Sequence, residues 1–234
     1  MSGITLYHGT STLFLESIKE SGLGAVNPVE KYRLHELLAY LTSECELRTP
    51  DDLDFNRTKR TTYAMLNQDP FYRHPDDEQQ RQLNFRHGAT YLVAKEMGAA
   101  FYACQNRLGS ELLSRCELLV RVLLTNREPV NIPLSLNGIG LEIAVNTQHL
   151  PILIEVNNVP LSCLNNEHGM PAEAEFNHLR SKCPTLTAEE YVRVAGVFEL
   201  TQPIPSWALR YRRVMCQANI TTADFVYRLN EIAG

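Results

Sequence analysis

The chain has 234 residues, of which 44% are hydrophobic and 21% charged, and its formal net charge is −5. That balance is ordinary for a soluble globular protein of one moderate domain, or one domain with a large insertion, and it argues against a generic polyanion-binding surface. No apolar run approaches a membrane span; Leu150-Pro151-Ile152-Leu153-Ile154 is far too short.

The N-terminus lacks the basic start and apolar core of a signal peptide, so an unexported, cytoplasmic chain is expected. The six cysteines are scattered and contain no CxxC pair, which fits reduced thiols better than a disulfide framework. Cys163, His168, His178 and Cys183 could in principle supply two thiolates and two imidazoles to zinc. Their spacing matches no compact zinc signature, and no metal is expected. Two basic clusters, Arg57-Lys59-Arg60 and Arg210-Arg212-Arg213, read as solvated faces of a helix or strand.

In chain order, Ile4 to Tyr7 predicts a first strand. Thr10 or Ser11 caps a helix with Leu13, Phe14 and Ile18 on one face, and Gly22 ends it. From Pro28 to Arg86 the composition shifts: Leu34, Leu37, Leu38 and Leu41 recur at helical spacing, a polar stretch runs from Thr49 to Asp77, and a helix is expected from Asp76 or Asp77 to Phe85. With little apolar material of its own, residues 28–86 suggest a helical insertion or lid within a single domain spanning 1–234. Thr90 to Ala94 predicts a strand and Lys95 to Leu108 a helix. Strands are expected at Leu118–Leu124, Leu150–Val156, Tyr191–Val194, Val197–Leu200 and Ala208–Cys216. A last helix is expected from Thr221 or Thr222 to about Ile232. Many strands, with helices early and late, predict an α+β fold with a mixed or antiparallel sheet.

The residues that carry chemistry lie in three separated places. A histidine followed by glycine at a strand end, His8-Gly9-Thr10, can grip a ligand with side chain and backbone together, since glycine has no Cβ in the way. Gly88-Ala89-Thr90-Tyr91 is followed by a small-residue helix bearing Tyr102. Glu189-Glu190-Tyr191-Val192 reads as a carboxylate pair at a strand start.

In that order the set resembles the ADP-ribosyltransferase superfamily, in its His-Tyr-Glu branch with diphtheria toxin and the poly(ADP-ribose) polymerases. His8-Gly9-Thr10 and Gly22-Leu23 match the first motif, and Tyr91 and Tyr102 match the paired tyrosines of the second. Glu117 to Val122 resembles the apolar strand before the third motif, whose glutamate is matched by Glu190. The block 28–86 is longer than the family's usual link, and 131–187 is poorly matched.

The resemblance implies a split mixed or antiparallel sheet and an NAD-dependent mono-ADP-ribosyltransferase. Such an enzyme breaks the nicotinamide–ribose bond of NAD through an oxocarbenium-like state. His8 would bond a ribose hydroxyl, the Gly9 backbone would hold the nicotinamide amide beside Thr10, and Tyr91 and Tyr102 would sandwich the ring. Glu190 would bond the ribose 2′-hydroxyl and stabilise developing positive charge; Glu189, Glu199 and Glu155 are the alternatives for that carboxylate. The acceptor is implied to be a macromolecule (protein, RNA or DNA). The family context is an intracellular toxin of a toxin–antitoxin or phage-defence system, with an inhibitory antitoxin protein as partner and no membrane. Alternatives within the fold are NAD hydrolysis, an RNA 2′-phosphotransferase (disfavoured because His8 leaves no room for a preceding winged-helix half) and a degenerate NAD- or ADP-ribose-binding module.

Each residue also has a plainer reading. His8 could be a strand-end histidine satisfied by backbone, Tyr91 and Tyr102 core aromatics, and Glu189-Glu190 a charged first turn with Thr187 as a local cap.

Overall fold

Ser11 sets the first boundary in the chain. Its hydroxyl accepts the Leu13 amide at 3.3 Å, so β1 (Ile4–Ser11) passes directly into α1 (Thr12–Ser21). Gly22 closes α1 at a φ of 92°, and a Cβ there would stand 2.4 Å from the Ile204 carbonyl oxygen, so both backbone and space demand glycine. The computed structural model describes residues 4–75, 82–216 and 225–232. After α1 come α2 (Pro28–Lys31), α3 (Leu34–Arg48), α4 (Leu53–Leu66), β2 (Tyr72–Arg73), β3 (Gln82–Leu83), β4 (Thr90–Val93) and α5 (Glu96–Gln105). The chain continues through α6 (Glu111–Thr125), α7 (Leu141–Asn146), β5 (Pro151–Val159), β6 (Leu164–Asn166), α8 (Ala172–Lys182), α9 (Ala188–Ala195), β7 (Val197–Leu200), β8 (Leu209–Cys216) and β9 (Tyr227–Glu231).

These elements divide into two compact units. The first gathers Met1–Val26, Ala89–Gly109 and His149–Gly234. Its described strands form one seven-stranded antiparallel sheet in the order β6-β7-β4-β1-β5-β8-β9, which makes the fold α+β. Alternation along the strands produces two faces. On one, Ile4, Leu6, Leu92, Ile154, Phe198 and Tyr211 pack under Leu15 of α1, Phe176 of α8 and Tyr191 and Val192 of α9. Each large apolar side chain buried there contributes about 1.5–3 kcal/mol. On the other face, Leu153 and Val214 meet Ala99, Ala100 and Ala103 of α5. Alanines let α5 lie close to the sheet, and Gly9 completes that approach: a Cβ on Gly9 would be 2.1 Å from the Ala99 carbonyl oxygen and 3.0 Å from the Ala103 nitrogen.

The second unit comprises Asn27–Gly88 and Ser110–Gln148. Leu34, Leu37, Leu38 and Leu41 of α3 are buried, as are Phe55 and Met65 of α4 and Leu112, Leu119 and Leu123 of α6. The Cys45 thiol donates to the Leu119 carbonyl at 3.5 Å, tying α3 to α6. The expected insertion 28–86 lies in this unit, and α6 and α7 lie there with it.

Several elements differ from the sequence expectations. Residues 118–124 are helical, within α6, because Leu112, Cys116, Leu119, Val120 and Leu123 repeat at three- and four-residue spacing along one buried stripe. Tyr191–Val194 is also helical, within α9, where Thr187 and Glu190 form a reciprocal capping box. Of the helix expected from Asp76 or Asp77 to Phe85, residues 76–81 lie outside the described residues, and Gln82–Leu83 pair with β2 as a strand. The start of the helix expected at Thr221 or Thr222 also lies outside them, while Tyr227–Glu231 form the edge strand β9 beside β8.

Candidate functional site

β1 and β4 meet in register at Tyr7 and Val93. One residue further along β1, the His8 imidazole takes up the contact, its Nδ1 2.8 Å from the Tyr91 carbonyl oxygen. A carbonyl only accepts, so Nδ1 carries the proton and Nε2 keeps a lone pair. Burial pushes the imidazole below its ordinary pKa, against the raising effect of that bond. His8 is thus a neutral, oriented imidazole with one acceptor nitrogen. Its cross-strand neighbour is Ile154, on the sheet face that α1, α8 and α9 cover.

Gly9 pairs across the ladder with Leu153, on the opposite face. What requires its missing Cβ is the backbone of α5. Thr10 is buried and donates its hydroxyl to the Gly109 carbonyl at 3.4 Å. Gly109 sits at a φ of 74°, where a Cβ would meet the Ser11 nitrogen at 2.7 Å. The end of β1 is therefore held by α5 and by the turn after it.

Tyr91 of β4 stands directly opposite Glu199 of β7. Cross-strand partners in an antiparallel pair project to the same face, with Cβ atoms about 4.5–5.5 Å apart. Val93, two residues along on that face, packs into the cluster beneath α5. α5 lies mainly over β1 and β5, with its first turns reaching β4. A Cβ at Gly98 would meet the Val93 side chain at 3.8 Å, and Ala103 has reached the level of Gly9. Tyr102 lies four residues beyond Gly98 on the same flank of the helix, a rise of about 6 Å. Two residues back along β4, from Val93 to Tyr91, is about 7 Å. Tyr91 thus shares its face with Glu199, and Tyr102 lies further along the helix that packs on that face. Tyr102 is 38% exposed, whereas the Ala99, Ala100 and Ala103 side of α5 is buried.

Glu190 is elsewhere. It lies in the first turn of α9, where its Oε2 accepts the Thr187 amide at 2.9 Å and the Thr187 hydroxyl at 2.8 Å. Its own amide donates to the Thr187 hydroxyl oxygen at 3.2 Å. These bonds hold its carboxyl below the usual range. The side chain is exposed and committed to the cap, so the expected strand-start carboxylate is instead a helix-capping one; Glu189 is exposed on the same turn. Among the alternatives, Glu155 of β5 is also engaged. Arg212 of β8, 13% exposed, bridges Glu155 and Glu96, the latter at 3.1 Å. The Asn157 amide donates to Glu155 at 3.0 Å, and the Tyr227 hydroxyl donates to Glu96 at 2.8 Å. Burial, with Glu96 beside it, pushes the Tyr227 phenol up to about 12. Of the four carboxylates considered, Glu199 alone has Tyr91 as its cross-strand partner.

The basic clusters resolve largely into ion pairs. Arg57 meets Asp54 at 3.7 Å, Lys59 meets Glu46 at 2.7 Å, and Arg210 meets Glu231 at 2.8 Å. Among the described residues no three His, Cys, Asp or Glu side chains gather as a metal group, and no described helix is long and apolar enough to cross a membrane. A shallow 530 Å³ hollow in the second unit is lined by Arg48, Asp52, Asp54, Arg57 and Asn126, of which Arg57 belongs to the first basic cluster and none to the three motifs that carry chemistry.

Comparison with known proteins leaves the family unassigned: no protein-family model matches the chain, and no curated protein or solved structure matches it.

Proposed function

We propose that this chain is an NAD-dependent ADP-ribosyltransferase whose working carboxylate is Glu199. The observation that carries the proposal is the strand order β7-β4-β1, with Glu199 opposite Tyr91 on the sheet face where α5, the helix bearing Tyr102, packs, and the Tyr91 carbonyl on His8. NAD supplies a labile nicotinamide–ribose bond when bound. Tyr91 on β4 and Tyr102 on α5 offer two aromatic rings of the kind suited to a flat cationic ring. Glu199 offers negative charge on that face, where a sugar carbon gains positive character as the bond breaks. His8, neutral and on the opposite face of the sheet, serves this site by holding the Tyr91 backbone through its Nδ1.

The acceptor is a protein, an RNA or a DNA, and an inhibitory protein partner and a cytoplasmic site of action belong to the same reading. The test is incubation of the purified chain with NAD labelled in its adenine half and separate pools of protein, RNA and DNA. Label transfer to one pool that is lost in Glu199→Gln and kept in Glu190→Gln is the expected result. Nicotinamide release without labelled acceptor points to hydrolysis, and neither label nor nicotinamide with any pool would overturn the proposal.

A further inference from the structure

Two cysteines come together in the first unit. Cys104, near the C-terminal end of α5, packs partly buried against the cluster of Ala99, Ala100, Ala103, Leu153 and Val214. Cys216 ends β8 two residues after Val214, and side chains two apart on a strand share a face. Cys216 is paired with Tyr227 of β9, whose ring packs against the same cluster. Helix α5 and strand β8 therefore direct their two partly buried thiols toward one patch. Consistent with this, the neighbouring Cys216 thiol adds to burial in pushing the Cys104 thiol far above its ordinary range. The other cysteines are placed differently: Cys45 and Cys116 are buried in the second unit, and Cys163 and Cys183 lie near or on α8.

We infer that Cys104 and Cys216 form a reversible disulfide that ties α5 to β8, made by exchange with a low-molecular-weight disulfide. In the first step one cysteine, as thiolate, attacks the reagent's S–S bond, forming a mixed disulfide and expelling one reagent thiolate. In the second, the other cysteine's thiolate attacks the protein sulfur of that mixed disulfide and expels the second reagent thiolate. Both cysteines lose their protons and together two electrons, and the reagent is reduced to two thiols. Burial and the neighbouring thiol hold the Cys104 thiol protonated, so its exchange accelerates as pH rises and its thiolate fraction grows. The bond is internal to the first unit and does not depend on what occupies the Tyr91 flank. Its effect is mechanical: α5, the helix carrying Tyr102, can no longer move away from β8.

The experiment treats the reduced full-length chain with oxidised glutathione at pH 7, 8 and 9, followed by peptide mapping without reductant. The expected product is a linked pair of peptides containing Cys104 and Cys216, lighter than the reduced pair by two hydrogens, with four of the six thiols still titratable. Its formation should speed up with each step in pH, as the thiolate fraction of the raised Cys104 thiol grows. The linked pair should vanish in Cys104→Ser and in Cys216→Ser, persist in Cys163→Ser, and revert with dithiothreitol. Amide exchange in α5 should slow in the oxidised wild type and not in Cys104→Ser. Stable glutathione adducts on Cys104 or Cys216 without the link, a different cysteine pair, or a link that forms only in denaturant would each overturn the inference.

Discussion

The Ala99 carbonyl oxygen of α5 lies 2.1 Å from where a Cβ of Gly9 would be, so helix and strand cross with main chain against main chain. The obstacle is backbone on both sides, with no flexible side-chain end to yield. Gly9→Ala is therefore expected to destabilise the first unit at the upper end of overpacking costs, about 3 kcal/mol. Denaturant melting of the variant measures this. A midpoint unchanged from the wild type would show that α5 does not sit so close.

Tyr102 should report on ligand binding without greatly affecting the fold, because it is 38% exposed while the alanine face of α5 does the packing. Tyr102→Ala is expected to weaken NAD binding by about 1–3 kcal/mol, the scale of aromatic stacking on a flat base. An NAD titration with wild-type affinity would remove Tyr102 from the site.

Thr187 and Glu190 should behave as structural partners. Thr187→Ala removes the hydroxyl that accepts the Glu190 amide at 3.2 Å, and loss of such a cap costs about 1 kcal/mol. Glu190→Gln should lower stability slightly and leave ADP-ribosyl transfer in place, with Glu199→Gln abolishing transfer and retaining the fold. The contrast is read by running melting curves and transfer assays on the same three proteins. Loss of transfer in Glu190→Gln would return the catalytic role to α9.

His87 makes the second unit sensitive to acid. Burial, and secondarily the nearby His35, pushes its pKa down to about 4 from 6.5. The two rings lie 6.3 Å apart, and Phe85 stands 6.2 Å from His87. The folded state binds a proton less readily than the unfolded state does, so stability is fully present above pH 6.5 and is lost as pH falls from about 6.5 toward about 4. At 1.36 kcal/mol per unit the whole contribution is about 3 kcal/mol. His87→Phe should flatten that part of the stability–pH curve. An equally steep acid limb in the variant would place the sensitivity in another group.

The elements legible in the sequence are those with local punctuation. Ser11 and Gly22 bracket α1, and alternation marks β5 and β8. The run Leu118 to Leu124 misleads because seven apolar-rich residues fit a strand as well as a buried stretch of helix. Only the wider pattern from Leu112 to Leu123 reveals α6. Around Tyr191, the β-branched Val192 and Val194 suggest a strand, but the Thr187-x-x-Glu190 box was readable and outweighs them. The site divides in the same way. His8, Tyr91 and Tyr102 stand out by local motif and spacing. The pairing of Glu199 with Tyr91 depends on the register between β4 and β7, more than a hundred residues apart, and no local pattern encodes register.

The central strand has a further consequence for how the chain is made. β1 is synthesised well before β5, the strand with which it makes its long ladder, from Ile4 against Val159 to Ser11 against Pro151. At about 5–20 residues per second, synthesis leaves Leu6, Tyr7 and His8 without that partner for roughly ten to thirty seconds. The helices α3, α4 and α6 are complete in the meantime and can pack through local contacts. A nascent chain halted before Pro151 should therefore expose a sticky apolar strand beside an already folded helical body, which is the species a chaperone would meet.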